Sequence, residues 1–344
     1  MNTTMKVFSV SALLLLLSAC GGSSGGESFT IGNGNPPDLE PGEVTIGISD
    51  APVDDVKEVV IEIDRIIFRK SGEDDVVVDT FSSDDVTPPV VDADTIQINL
   101  LDFQGTNQAI VIEGLELEDG EYSNIILEIL DEDLGNSYVV ELDDTQKLIK
   151  VPSDKLQLGK FTVTGEVEQT FTIEFNLRQS LVYKPGPDEY NLKPRGVRIQ
   201  NNSGDTSLSG TVASDLFDTE SPCDEKTEPT SGNVVYLYEG HGLTVANLAD
   251  MYDPDEDDDV PSSAIAPFIA EGLTESGGVW QYKFAFLPAG EYTLVFSCNA
   301  ADDDPEIFDE LELPLPEDQI IELTLTGGSG LTCNLPVSDD ECGD

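Results

Sequence analysis

The sequence predicts an all-β chain: two antiparallel β-sandwich domains in series, preceded by an export signal and a flexible tether. Three observations carry this expectation. Apolar and polar residues alternate in short runs, a period of two that suits strands with one buried and one solvated face. No segment carries a sustained helical period. The stretch "LEDGEYSNIILEI" at Leu117–Ile129 also returns in outline as "LPAGEYTLVFS" at Leu287–Ser297, one turn-and-strand unit in each half.

The N-terminus comes first. Lys6 precedes an apolar run from Val7 to Leu17, shorter than the roughly twenty residues of a membrane span. The run ends in Leu17-Ser18-Ala19-Cys20, followed by Gly21-Gly22-Ser23-Ser24. This resembles the lipobox of bacterial lipoproteins. The resemblance implies that residues 1–19 are a signal peptide, that cleavage falls before Cys20, that the Cys20 sulfur carries lipid, and that the new N-terminus is acylated (palmitate). Gly21 rather than Asp after the cysteine implies, by analogy with enteric bacteria, the outer membrane. The expected location is the bacterial cell envelope, periplasmic or surface-facing, with membrane contact through the lipid alone. Residues 20–42 are rich in Gly, Ser, Asn and Pro and read as a tether; a flexible coil of that length spans about 25 Å.

Charge narrows the partners. The chain has 16 basic and 69 acidic residues, a net charge of −53. Glu43–Gln200 carries 34 acids and 13 bases, net −21, while Asn201–Asp344 carries 32 acids and 2 bases, net −30. Such a field repels nucleic acid and anionic headgroups. Its plain reading is solubility in high salt; its sharper reading is divalent-cation binding. With 39% apolar residues the chain can still build cores.

The first domain, residues 43–202, opens with an alternating run at Val44–Ser49 and continues with "VVIEIDRIIF" at Val59–Phe68. Further strands are expected at 76–79, 95–99, 109–112, 123–130, 138–142, 161–163, 169–177 and 197–200, with a short helical turn at "LLDFQG". The second domain, residues 203–344, is expected to hold strands at 208–213, 234–238, 279–287, 292–298 and 319–326. In "VWQYKFAF", Trp280, Tyr282, Phe284 and Phe286 share one face and read as core. In the repeated turn, Gly120 and Gly290 are expected to take positive φ, Tyr122 and Tyr292 to bury their rings, and Glu121 and Glu291 to face solvent.

Five blocks, "ISDAPVDDVKEVVIEI", "INLLDFQG", "LEDGEYSNIILEI", "FNLRQSLV" and "YNLKPRGVRI", make residues 42–202 resemble a bacterial family catalogued as domain of unknown function 4382. That resemblance implies a lipoprotein setting and an architecture, and no activity. The second half is similar, mainly through "LPAGEYTLVFS", to transthyretin-like modules such as carboxypeptidase regulatory-like repeats.

Cys223, Cys298, Cys333 and Cys342 all lie in the second half. An even number behind an export signal reads as two disulfides, with three pairings open. Zinc is the rival, but CxxC spacing is lacking and the sole histidine, His241, stands in a glycine-flanked loop. No nucleophile elbow, phosphate-binding loop or HExxH is present. No enzyme is therefore expected and no cofactor, calcium being the one candidate.

Three clusters remain. In "DMYDPDEDDDVP", Asp253, Asp255 and Asp257 occupy the first three positions of a calcium loop, but Asp258 stands where Gly is needed and Ala264 where Glu is needed. The preferred reading is a disordered acidic insertion between strands. Asp50, Asp54 and Asp55 of "SDAPVDDV" either share a cation or, as preferred, place Asp50 in an Asx-type turn. Arg178, Lys184, Lys193, Arg195 and Arg198 form a basic cluster. It reads as intradomain ion pairing, and alternatively, through Arg178, Lys193, Arg195 and Arg198, as an anion or ligand contact. The expected function is binding or display at the envelope, of a glycan or a protein partner. A structural spacer, or a polysaccharide-active enzyme or its accessory, are the alternatives.

Overall fold

Alternation is realised as strands almost everywhere it is legible. The computed structural model describes residues 41–51, 56–131, 133–165, 168–204, 206–255, 257, 260–317, 319–337 and 342. The expected signal peptide, most of the expected tether with Cys20, and Asp54 and Asp55 lie outside these residues. Among the described residues no helix is long and apolar enough to cross a membrane.

The first sandwich packs two sheets. One has four strands in the order Val197–Asn201, Gln169–Asn176, Gly42–Ala51, Ala109–Leu117. The other is larger and centred on Val56–Lys70 and Gly120–Ile129. Their inner faces supply one core that includes Ile46, Ile48, Phe68, Ile125, Phe171 and Phe175. Three pairings depart from the antiparallel expectation: Gln146–Lys150 with Glu189–Leu192, Thr206–Val212 with Gly330–Thr332, and the longest, in the first sheet. Gly42–Ala51 runs parallel to Gln169–Asn176, Val44 opposite Gln169 and Ala51 opposite Asn176. Parallel neighbours need a long crossover rather than a hairpin, and here the rest of the sandwich supplies it.

The second sandwich has two four-stranded sheets. One runs Thr274–Ser276, Val279–Leu287, Thr206–Val212, Gly330–Thr332; the other Ile269–Gly272, Val234–Glu239, Gly290–Ser297, Ile320–Leu325. Leu208, Phe284, Leu237, Leu294 and Phe296 meet between them. The second sheet is covered on its outer face as well. Tyr236, Tyr238 and Val295 pack there with Met251, Ala300 and Leu313 of the long loops. The start of the acidic segment Asp250–Pro261 belongs to this packed cover, with Asp250 and Met251 fully buried, while Pro254, Asp255 and Pro261 are exposed. Trp280 packs edge-on against Phe217 at 5.7 Å between ring centroids and is only half-buried. A bulge follows, where Phe286 takes a φ of +49°, and the alternation gives way to consecutive buried residues.

The repeated turn is architecture. Tyr122 Oη donates to Glu118 O at 3.2 Å and Tyr292 Oη to Pro288 O at 2.9 Å, each four residues upstream. Both rings are buried and Glu121 and Glu291 are exposed. Each tyrosine ties the incoming turn to the strand it opens, the logic of a tyrosine corner. Gly120 has φ +128° as expected, but Gly290 does not adopt positive φ. A Cβ there would meet only the Tyr292 ring, at 3.4 Å, so nothing in the turn demands that conformation.

The disulfides are Cys223–Cys298 and Cys333–Cys342, with Cα separations of 5.9 and 4.5 Å. His241 Nε2 lies 2.9 Å from Leu323 O, a backbone contact within the second sandwich.

Candidate functional site

The candidate site is the seam where the two sandwiches meet. Its floor is the outer face of the four-stranded sheet of the first sandwich. Gln169–Asn176 is buried along nearly its whole length because the core covers one face and the second sandwich covers the other. On the second face stand Thr172, Glu174 and Asn176, polar residues that would suit solvent if this face were open. Asn176 Nδ2 donates to Ala270 O at 3.3 Å across the seam, and Lys283 Nζ donates back to Thr106 Oγ1 at 2.9 Å. Ala51, at the end of the first strand, packs into the core of the second sandwich.

The basic cluster is the clasp. Sequence reasoning pairs it within its own domain; four of its five members instead reach into the other. Arg178 donates to Ala300 O at 2.6 Å and lies 3.8 Å from Asp303 Oδ2. Lys184 and Lys193 converge on Glu306, and Lys193 also lies 3.7 Å from Asp253 Oδ2. Arg195 donates to Pro305 O at 3.2 Å. Only Arg198 pairs within its domain, with Glu174, and even it donates across to Ala285 O at 3.3 Å and stacks 4.7 Å over the Phe268 ring. The loop carrying Asp303, Pro305 and Glu306 is short of cations of its own, since the whole second half has two. The first sandwich supplies what it lacks.

Electrostatics follow burial. Burial would raise Glu306, but hydrogen bonds from Lys184 and Lys193 outweigh it and hold the carboxyl low. Asp303 is pushed up by burial, against the opposing pull of Arg178, the Tyr236 hydroxyl and the Met251 N–H. Burial lifts Asp250 to about 6. Its oxygens accept from Asp309 N at 3.3 Å and Leu311 N at 2.7 Å, so it clips the two covering loops together. Burial lowers Arg195.

Two of the residues singled out as candidate calcium ligands accept backbone hydrogen bonds. Asp253 Oδ1 accepts from Asp255 N at 3.1 Å, and Asp257 Oδ2 accepts from Phe308 N at 2.9 Å. Asp50 is fully buried near the end of its strand, and residues 52–55, which would complete the expected turn, lie outside the described residues. Among the described residues no group of three or more His, Cys, Asp or Glu side chains is arranged to hold a metal ion. Glu174, Glu271, Asp303 and Glu306 were not singled out by the sequence. The one signal available was Glu174, a charged residue inside the apolar run "FTIEF".

Several hollows border this region or the disulfide, one of about 600 Å³ reaching from Gln104 and Gly105 to Tyr282 and Lys283. A cleft of about 190 Å³ at the seam is lined by Glu174, Asn176, Gln179, Arg198, Phe268 and Ile269. A larger one of about 590 Å³ lies beside Cys223–Cys298. There Lys226 donates to Ser231 O, Asn233 Oδ1 and Cys298 O, and burial lowers its ammonium to about 8.

Comparison with solved structures returns bacterial proteins at low similarity, several of them named as adhesion or pilin proteins. The TIE protein of Bacillus anthracis is 10% identical with a TM-score of 0.18, covering 86% of this chain and 34% of its own. This chain therefore spans about a third of that protein. A candidate cell adhesion protein of Bacteroides fragilis is 8% identical with a TM-score of 0.21, covering 89% and 96%. The minor pilin GBS52 of Streptococcus agalactiae is 12% identical with a TM-score of 0.18, covering 87% and 99%. Superpositions this loose carry no argument. A search of curated proteins found no match. The family model described as Domain of unknown function (DUF4382) matches residues 41–194, and the first sandwich is a domain of that family.

Proposed function

We propose that this chain is a lipid-anchored, non-catalytic protein of the bacterial cell envelope that binds or displays a glycan or a protein partner. The observation that supports this best is the use made of its charged side chains. Those grouped at the seam direct their donors and acceptors to the opposite sandwich. They hold a scaffold together, leaving the outer surfaces to recognition. Stacking on a sugar needs an open aromatic face. Tyr183, beside Tyr190 at 5.2 Å between centroids, is the described aromatic with the most exposed ring and is the glycan contact in this reading. The clasped seam also favours a second reading, a structural spacer that binds nothing.

The test has two arms. Cys20→Ser should abolish palmitate labelling and membrane retention; label persisting in the variant overturns the anchor. Purified full-length chain should then bind an envelope polysaccharide or protein fraction, with Tyr183→Ala weakening glycan capture. Release of sugar from the polysaccharide overturns the non-catalytic reading, and no binding to either fraction favours the spacer.

A further inference from the structure

The hollow of about 600 Å³ that reaches from the Gln104–Gly105 turn has as its floor the outer face of the sheet holding Thr206–Val212. Leu208 and Val212 of that strand, with Tyr282 and Phe284 of its neighbour, turn into the core. Ser209, Thr211, Gln281 and Lys283 alternate with them and turn outward. Register sets the floor in two ranks. Thr274, Gln281 and Thr211 form one, with Asn334 bonded to Thr211; Lys283, Ser209 and Thr332 form the other. All are polar, and only Lys283 is charged. Acids are 69 of the chain's 344 residues, yet among the residues lining this hollow only Glu275 is acidic.

The face holds donors in fixed places. Asn334 Oδ1 accepts from Thr211 N at 2.9 Å and from Thr211 Oγ1 at 3.0 Å, which sets the amide with its N–H donors unspent. The Lys283 stem lies against Gly105, where a Cβ would come within 3.3 Å of it. Its ammonium donates to Thr106 Oγ1 at 2.9 Å and makes no ion pair among the described residues. Glu271 takes the Lys283 backbone N–H, at 3.3 Å, and not the ammonium. An ammonium has hydrogens for further acceptors after that one bond. Amides and hydroxyls both donate and accept, as the hydroxyls of a sugar do, whereas carboxylates only accept.

We propose that this hollow is a binding groove for a neutral oligosaccharide, with the Lys283 ammonium and the Asn334 amide as its donors. This rests on the glycan reading above and places a site at residues other than Tyr183. A volume of about 600 Å³ lies within the range of about 300–1,000 Å³ common to small-ligand sites. The lining chooses the class. The ammonium already bonds a hydroxyl oxygen, that of Thr106. An anionic sugar would approach against the field of a chain with net charge −53. An apolar ligand would strand both polar ranks away from water, which is costly. A neutral polyol satisfies them. No ring is offered for stacking, since Tyr282 is 2% exposed and its hydroxyl is committed to Cys333 O at 2.6 Å. Recognition is therefore by hydrogen bonds and weakens group by group as donors are removed. Gln104 and Gly105 of the first sandwich wall one side, so the groove is complete only with both sandwiches in place.

The test is a saturation-transfer NMR titration of the full chain in a sugar-free detergent. Cellotetraose, maltotetraose, xylotetraose and chitin tetrasaccharide are the neutral probes, and tetragalacturonate is the anionic one. At least one neutral probe should bind saturably, and tetragalacturonate about tenfold more weakly at low salt. Lys283→Met and Asn334→Ala should each weaken the neutral probe by about fivefold, the worth of one net hydrogen bond. Gln281→Ala, at an exposed side chain, should also weaken it and leave the fold undisturbed. Tyr183→Ala should leave it unchanged. The proposal is overturned if no neutral probe saturates or if tetragalacturonate binds as tightly. It is overturned equally if Gln281→Ala and Lys283→Met, melting as the wild type does, also bind as the wild type does. In each of these cases, capture of envelope polysaccharide by the wild type leaves the glycan reading standing, and no capture removes that reading too.

Discussion

Replacing Arg198 with Met should destabilise the chain by about 3 to 4 kcal/mol at pH 8 and by far less at pH 5. The side chain does three things. It pairs with Glu174, which is 2% exposed. It covers the Phe268 ring at 4.7 Å, a contact worth about 1 kcal/mol when partly desolvated. It also donates to Ala285 O. Removing one member of a buried pair typically costs about 3–5 kcal/mol because the other is left charged and unpartnered. Arg198 retains some exposure, which places the expectation at the lower end of that range. Glu174 already has a raised value despite its partner; without the guanidinium it rises further. A carboxyl raised in the folded state favours the fold at low pH and penalises it as pH climbs through the folded value. The deficit should therefore be largest at pH 8 and shrink towards pH 5. Adding Glu174→Met should recover most of it. Urea denaturation of the wild type, both single variants and the double variant, at both pH values and matched ionic strength, reads all of this. A deficit equal at pH 5 and pH 8, or a double variant as unstable as Arg198→Met, would refute the reasoning.

Three further outcomes are expected. Tyr122→Phe and Tyr292→Phe should each cost about 1 kcal/mol, the net value of one hydrogen bond, and add in the double variant; thermal melts showing no loss at either corner would remove the tyrosine-corner account. Loss of the Cys223–Cys298 bridge, which closes a separation of 75 residues, should cost about 4 kcal/mol, against about 2.5 for Cys333–Cys342, which closes 9; equal effects of the two Cys→Ser pairs on denaturation midpoints would contradict it. Sodium chloride should raise the melting temperature by screening the charge of −53, and calcium at matched ionic strength should add little. A large calcium shift abolished by Asn at Asp253, Asp255 and Asp257 would show a specific site instead.

Local pattern determined the strands, because alternation is a property of neighbouring residues. Val44–Ser49 and Val59–Phe68 were legible and extend by only a few residues at each end. The two Gly-Glu-Tyr turns were legible for the same reason, since each tyrosine bonds a carbonyl only four residues away. Short strands without alternation were not, and Ile269–Gly272, which carries Glu271, is one of them. The cysteine count implied two bridges but left the pairing to the fold, since spacing does not report distance in space. The parallel pairing of Gly42–Ala51 with Gln169–Asn176 joins residues more than a hundred positions apart. So does the clasp from Arg178 to Ala300 and from Lys184 to Glu306. A charged side chain in a sequence shows its sign and not its neighbours. Whether Arg195 meets water, an anion or a carbonyl depends on which surfaces cover each other. The tertiary structure decided that.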